Sequence, residues 1–454
     1  MTTNKAEQAD ETKVRKYGLL LVEGKTKKIF GKRGDSSRVI LVSKDDITAG
    51  DGAKHDVIEG KAELSNRITC NVFRLLKACG IPVAFKKQIS PNAFEAPRCT
   101  MLPYEVVVRR EAHGTYCDRN PHLPKGSIFP KLLLEFFLKT SDKSWKGVGS
   151  RETYPLLKDD PFMEFEYAEK QVKLFYPGHG SGERKTVAKG VLVGQEPFLI
   201  LPLAEVFSQD NEEKLIEKMG IIARQTFLVL EKAWQLQGRK LVDFKVEFGI
   251  GPNGELLLAD VIDNDSWRVV DGSGGYIDKQ VYRDGGDLNT VTEKYRQVVE
   301  LTSQFGLPTQ QLILWRGSEK DDLKPFYEST LESLSKQLKN RVVTCSVHKQ
   351  PTLAYDLLQK YVSEIPDTVI IAFVGRSNGA GPTISANTTV PVITVPAGYK
   401  DFPNDIWSSL RTPSNVSVMT VLEPMNAVLA GLQILAMRNP SIYAVLRMKQ
   451  EERM

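Results

Sequence analysis

This chain has no paired-cysteine motif, no apolar run long enough to cross a bilayer and no concentrated basic run. Its five cysteines, Cys70, Cys79, Cys99, Cys117 and Cys345, include no CxxC pair. A zinc site needs tighter ligand clusters, so these read as reduced, buried thiols of a cytoplasmic protein. The missing apolar run argues against a membrane protein. Met1 to Lys16 is polar and charged, lacks the apolar core of a signal peptide, and reads as a disordered lead-in. Net charge is only +5 and the basic residues are scattered, which argues against a nucleic-acid partner. Internal repeats and low-complexity tracts are missing as well.

What is present suits a globular protein with a real core. The 454 residues are 41% hydrophobic and 26% charged, enough for two to three domains. Short β-branched or apolar runs predict strands at Leu19–Val22, Lys28–Lys32, Val39–Ser43, Val83–Lys87 and Tyr104–Arg109. A helix is expected from Glu63 to Cys79, ended by Gly80, and another over Asn211–Leu236. Residues from about 140 to 194 read as an insertion with a strand at Gln171–Phe175. A helical linker, 285–307, ends at Gly306-Leu307-Pro308, the expected domain boundary. Beyond it, over 308–454, strands at Gln311–Trp315, Arg341–Ser346, Thr368–Val374 and Pro391–Val395 alternate with helical segments. That alternation means a doubly wound parallel sheet, flavodoxin-like and three-layered. The whole is an α/β protein whose N-terminal part is α+β.

One hairpin carries chemistry. Lys240–Ile250, the turn Gly251-Pro252-Asn253-Gly254, and Glu255–Ile262 form two strands. Alternation puts Val242, Phe244, Val246 and Phe248 on one face and Asp243, Lys245 and Glu247 on the other. A two-residue turn would set Lys245 opposite Asp260 and Glu247 opposite Leu258, with Lys245, Glu247 and Asp260 on a shared face. Such a set can hold Mg²⁺ and a nucleotide's phosphates; it can equally be a solvated polar face. The acceptor-rich Asp263-Asn264-Asp265-Ser266-Trp267-Arg268 follows at once. A second phosphate candidate is Glu23-Gly24-Lys25-Thr26-Lys27, a Gly-Lys turn between strands that differs from a Walker loop. Arg109-Arg110 can bind a phosphate or carboxylate in bidentate fashion.

In this order these pieces resemble the SAICAR synthetases of purine biosynthesis. The matching runs are Val22–Lys27, Ser43–Gly52, Glu59–Asn66, Arg109–Thr115, Asp243–Gly249, Leu258–Arg268 and Asp278–Arg283, spanning about 17–284. The resemblance implies a kinase-like ATP lobe and a reaction using ATP and Mg²⁺. ATP activates the carboxylate of carboxyaminoimidazole ribonucleotide as an acyl phosphate, and the amine of L-aspartate attacks it. By the same resemblance Lys25 and Lys27 touch ATP phosphates, and Lys245 is a further phosphate contact. Lys25 and Lys245 count among the catalytic groups. Glu247 and Asp260 bind Mg²⁺, with Glu247 also at the ATP. Arg109 and Thr115 hold the ribonucleotide, and Asp265, Ser266, Arg268, Lys279 and Arg283 form the substrate and aspartate side. The family's Lys-Asp-rich stretch after Phe-Phe is interrupted here. Either Lys139 or Lys158-Asp159-Asp160-Pro161 stands in for it.

The C-terminal half resembles the aminoimidazole ribonucleotide carboxylase domain fused to the synthetase in animal bifunctional enzymes, through Gly375–Pro382 and Ile406–Arg411. That family adds CO₂ to the imidazole of aminoimidazole ribonucleotide with no cofactor. His348 would be the catalytic proton carrier. Ser318 and Asp321 would hold ribose and phosphate, and Lys349, Gly375, Arg376, Ser377 and Asn378 would complete the substrate site. Two loops depart from the family: GSEKD has Lys320 where Ser is usual, and SVHKQP replaces SAHKGP. Three readings follow: a bifunctional purine enzyme, a synthetase with a degenerate C-terminal oligomerisation domain, or a non-catalytic nucleotide-binding scaffold. The resemblance also implies a homo-oligomer, an octamer built on the C-terminal domains being one form.

Overall fold

A computed structural model describes residues 13–14, 16–49, 54–140, 144–148, 151–156, 160–177, 186–188, 191–192, 196–207, 211–327, 334, 338–375 and 379–454. Most of the expected lead-in, much of the expected insertion, and Lys158, Asp159, Arg376, Ser377 and Asn378 lie outside the described residues. The chain divides into two compact units: Met1–Gly306 with Met448–Met454, and Leu307–Arg447.

The first unit begins with β1 (Leu20–Glu23), β2 (Lys27–Lys32) and β3 (Asp35–Ser43). Helix α1 (Lys61–Ala78) follows, its apolar positions recurring so that Ile68, Val72, Phe73 and Leu76 are buried on one side. Gly80, at φ 80°, ends it: Gly80 N–H donates to Lys77 O and Ile81 N–H to Leu76 O. Then come β4 (Lys87–Ser90) and β5 (Ala93–Pro97), completing an antiparallel sheet of order β1-β2-β3-β5-β4. The strand expected at Val83–Lys87 is not formed. Val83 makes an isolated bridge to Leu258, and the strand starts at Lys87. Apolar character there reflects burial of Val83, Ala84 and Phe85, not sheet pairing.

A second antiparallel sheet carries the chemistry. It contains β6 (Thr100–Glu111), β7 (Ile128–Leu138), β8 (Phe162–Glu166), β9 (Gln171–Phe175), β10 (Leu199–Pro202), β11 (Lys240–Ile250), β12 (Leu256–Ala259) and β13 (Trp267–Val270). The order is β10-β9-β8-β7-β6-β11-β12, with β13 also on β11. Part of the expected insertion is therefore ordinary sheet: Met163, Val172 and Leu174 are core residues. On β11, Val242, Phe244, Val246 and Phe248 are at most 2% exposed. They bury against α2 (Glu212–Leu236), where Phe227 meets Phe244 edge-on at 5.4 Å. That burial holds the opposite, charged face of β11 toward the clefts. Helix α3 (Leu288–Ser303) closes the unit, capped by Asp287, whose carboxylate accepts from Asn289 and Thr290 N–H.

The second unit is the expected doubly wound sheet. Strands β14 (Gln311–Arg316), β15 (Lys339–Thr344), β16 (Thr368–Val374), β17 (Val392–Pro396) and β18 (Met419–Thr420) are all parallel, in the order β15-β14-β16-β17-β18. Both faces are covered. Leu312 and Leu314 belong to one apolar cluster, and Ile313 and Trp315, alternating with them, to another.

Candidate active site

The hairpin differs from expectation by one residue of register. Glu247 pairs with Ala259 and Phe248 with Leu258. The loop has three residues: Gly251 N–H donates to Glu255 O at 2.8 Å, and Gly254 N–H to Gly251 O at 3.0 Å. Gly254 takes φ 80°, the left-handed position that closes a three-residue hairpin. Plain pleating in this register would turn Asp260 away from Glu247. Asp260 leaves the strand at φ 64°, a conformation uncommon outside glycine, and so reaches the same cleft.

That cleft encloses about 470 Å³ between the two sheets of the first unit. Its apolar walls include Leu21, Ile29, Leu41, Ala84 and Met101, and its polar end is Lys27, Lys139, Glu247 and Asp260. Lys27 forms an ion pair with Asp260, and Lys139 Nζ lies 2.6 Å from Glu247 Oε1. Burial pushes the Lys27 ammonium down to about 8, against the pull of Glu247 and Asp263. Burial would raise the Glu247 carboxyl; Lys139, Lys245 and Lys27 outweigh it and hold it below the ordinary range. Lys25 is exposed on the turn between β1 and β2, which Gly24 N–H closes onto Lys27 O at 2.8 Å. Among the described residues no three His, Cys, Asp or Glu side chains gather as a metal cage. The carboxylates of Glu247 and Asp260 suit Mg²⁺ that completes its shell with phosphate oxygens.

A second, cationic pocket of about 140 Å³ is lined by Lys245, Asp265, Ser266, Arg268 and Arg283, with Arg109 and Asp243 in its wall. Lys245 pairs with Glu105, which raises its pKa against the desolvation that lowers it. Ser266 Oγ donates to Val261 O at 3.1 Å and shapes the turn. Asp265 is partly buried, and against the desolvation that would raise its carboxyl, Lys61, Lys279 at 3.3 Å and the Tyr295 hydroxyl at 2.6 Å hold it well below the carboxylate range. Arg109 is buried and doubly paired, to Glu135 and Asp243. Thr115 opens a short helix beyond Gly114, whose missing side chain leaves room for the Arg268 guanidinium.

In the second unit the loops after the strands converge. Ser318 N–H donates to Asp321 Oδ2 at 3.0 Å, and Asp321 lies against Gly375, where a Cβ would stand 3.0 Å from Oδ1. His348 is exposed and lies against Gly379, where a Cβ would be 3.5 Å from Nε2. Lys349 N–H donates to Ser346 Oγ at 3.3 Å. Loops from β14, β15 and β16 thus meet at the strands' carboxyl ends.

The family model for SAICAR synthetase matches residues 20–158 and 202–302, and that for AIR carboxylase matches 313–454. The chain is 34% identical over 93% of its length to the probable multifunctional protein ADE2 of Caenorhabditis elegans, covering 91% of that protein. It is 33% identical to the bifunctional phosphoribosylaminoimidazole carboxylase/phosphoribosylaminoimidazole succinocarboxamide synthetase of Drosophila melanogaster, over 96% of this chain and 92% of that one. This chain belongs to that bifunctional family. A solved SAICAR synthetase in complex with ADP is 28% identical and covers 62% of this chain and 97% of its own, with a TM-score of 0.46.

Three residues of the SAICAR synthetase domain stand in the site beyond those assigned from sequence, where Lys139 was only one of two alternatives for the Lys-Asp stretch. Lys139 follows β7 and meets Glu247; Asp243 ties Arg109 to Arg268; Lys61, from the Glu59–Asn66 run, is buried 3.7 Å from Asp265. The described residues on the two sides of the break meet in space. Thr140 N–H donates to Asp160 Oδ1 at 2.7 Å and Leu138 N–H to Pro161 O at 3.0 Å. The sequence signal for Lys139 was its place after Phe136-Phe137; pairing with Glu247 spans 108 positions and left no local trace.

Proposed function

We propose that the first unit joins L-aspartate to carboxyaminoimidazole ribonucleotide with ATP, giving SAICAR, ADP and phosphate. The second unit supplies that ribonucleotide by adding CO₂ to aminoimidazole ribonucleotide. The supporting observation is adjacency. Glu247 lines the apolar cleft, and Lys245, two positions away on the same strand face, lines the cationic pocket.

A nucleotide base among Leu21, Ile29 and Leu41 would bring its triphosphate to Lys27 and Lys139, with Lys25 on the turn above. Mg²⁺ on Glu247 and Asp260 would supply charge neutralisation at the phosphates. Arg268 and Arg283 suit the ribonucleotide's anionic groups, and Lys245 stands where its carboxylate would face the nucleotide. A carboxylate oxygen then bonds to the γ-phosphorus as the bond to ADP breaks. The aspartate amine forms the amide bond at the acyl carbon, phosphate leaves, and the amine's surplus proton is released. The lysines carry the work, because charge develops on the transferring phosphoryl oxygens.

In the second unit His348 would move the imidazole proton after the C–C bond forms, beside a ribonucleotide held by the Ser318–Asp321 and Gly375 loops. The protein would act as a cytoplasmic homo-oligomer. Phe402, Trp407, Leu410, Met419 and Met425, each more than 40% exposed on the second unit, suit burial against further copies. The test supplies aminoimidazole ribonucleotide, bicarbonate, ATP, Mg²⁺ and aspartate to the full chain. SAICAR is expected. Product formed only from the carboxylated ribonucleotide would leave the second unit an assembly domain.

A further inference from the structure

Charge alternates across four neighbouring strands behind the cationic pocket. Glu135 stands on β7, Arg109 on β6, Asp243 on β11 and Arg268 on β13. Asp243 is the direct cross-strand partner of Arg109 on one side and Arg268 on the other. Arg109 Nε donates to Glu135 Oε2 at 2.6 Å and its Nη1 to Asp243 Oδ2 at 2.7 Å. Arg268 Nη1 donates to that same Asp243 oxygen at 2.5 Å. The second Glu135 oxygen accepts from Arg119, which also donates to Pro177 O at 2.8 Å and lies 4.7 Å over the Phe162 ring. Side chains of Glu135, Arg109, Asp243 and Arg119 are at most 5% exposed, whereas Arg268 is 20% exposed.

Buried charges are tolerated when each is paired and hydrogen-bonded. Here one Asp243 oxygen serves two guanidiniums. Arg109 can leave room for Arg268 on that oxygen only if its own Nε is engaged elsewhere, and Glu135 engages it. Deprived of Glu135, the Arg109 Nε–H is left to turn toward Asp243 and compete with Arg268, while Nη1 keeps His113 O at 3.2 Å as a further acceptor. The three arginines exceed the two carboxylates by one positive charge, and Arg268 is the member with access to water. Glu135 and Arg119 do not line the pocket.

We propose that Glu135 is a positioning residue for the anionic substrate of this pocket, acting through Arg109 and Asp243 to hold Arg268 in its binding rotamer. This rests on reading the pocket as the ribonucleotide site. The test is a double-mutant cycle on the full-length enzyme, measuring KM for the carboxylated ribonucleotide and for ATP in Glu135→Gln, Arg268→Ala and the double variant. Glu135→Gln is expected to raise the ribonucleotide KM about tenfold and leave the ATP KM within about twofold. In the Arg268→Ala background the same change should add nothing further. An equal factor in both backgrounds, or a joint rise of both KM values, overturns the relay while the site reading stands. An unchanged ribonucleotide KM in Arg268→Ala overturns the site reading and the relay with it. If Glu135→Gln fails to fold, Glu135→Leu with Arg119→Met carries the same cycle, since it removes one charge of each sign and leaves the Arg109 Nε–H without its acceptor on residue 135.

Discussion

Lys139 Nζ, one residue past β7, rests 2.6 Å from Glu247 Oε1 on β11, although β6 lies between those two strands. With Lys27 on Asp260, both carboxylates of the cleft have an ammonium partner. A metal–triphosphate can exchange these pairs without stranding a charge, the metal going to the carboxylates and the lysines to the phosphates.

Glu247→Gln is expected to lower the ATP-dependent step by at least about a hundredfold, since in the proposed function this carboxylate would hold the metal that neutralises the phosphates. Carboxylation should be spared. Each half-reaction, assayed with its own substrate, checks this; equal loss in both would mean the hairpin is structural.

His348→Ala should remove carboxylation, by roughly a hundredfold or more for loss of a proton carrier. SAICAR formation from the carboxylated ribonucleotide should be unchanged. Coupled and uncoupled assays on one preparation separate the two activities.

Asp278 gives a pH signature. It is fully buried, and burial pushes its carboxyl up to about 7 despite backbone N–H donors from Val269 and Gln280. The folded state thus keeps a proton that the unfolded chain releases near its ordinary value of 3.8. Between about 4 and 7 the folded state binds more protons, so this group's contribution falls as pH rises and levels off above about 7. Denaturant unfolding across that range should show the slope, and Asp278→Asn should flatten it. An identical slope in the variant would assign the effect elsewhere.

Glu451 anchors the end of the chain within the first unit. Its carboxylate accepts from Arg110 Nη2 and from Leu132 N–H, each at 2.8 Å. Glu451→Ala leaves Arg110 paired with Glu231 but removes the acceptor of Leu132 N–H and a second carboxylate from the guanidinium, and should cost the first unit about 1–3 kcal/mol, the usual penalty for a buried donor left unsatisfied. Calorimetry with ATP, which reports the first unit's transition, checks it; an unshifted transition would place Glu451 outside that unit's cooperative core.

Much of the fold was legible in sequence because burial writes a period. The two-residue alternation from Leu241 to Phe248, the 3.6-residue repeat of Glu212–Leu236 and the uninterrupted apolar run Thr368–Val374 each state which face is covered. The Val83–Lys87 run has the pattern of a strand without forming one, because apolar residues covered by packing look the same as those paired in a sheet. The motif sets Arg109 at the substrate pocket, which it lines, whereas its partners Glu135 and Asp243 lie 26 and 134 positions away and leave no local trace.

By itself the sequence determined the element types, the charged face of β11 and, through ordered motifs, the family, since each depends on residues near one another in the chain. Only the tertiary structure decided which charges meet. Asp260 reaches the cleft of Glu247 through a left-handed backbone residue, Lys139 meets Glu247 through strand order, and Arg268 meets Asp243 across paired strands. These follow from dihedral choices and cross-strand distances of a few ångström, which a linear pattern does not encode.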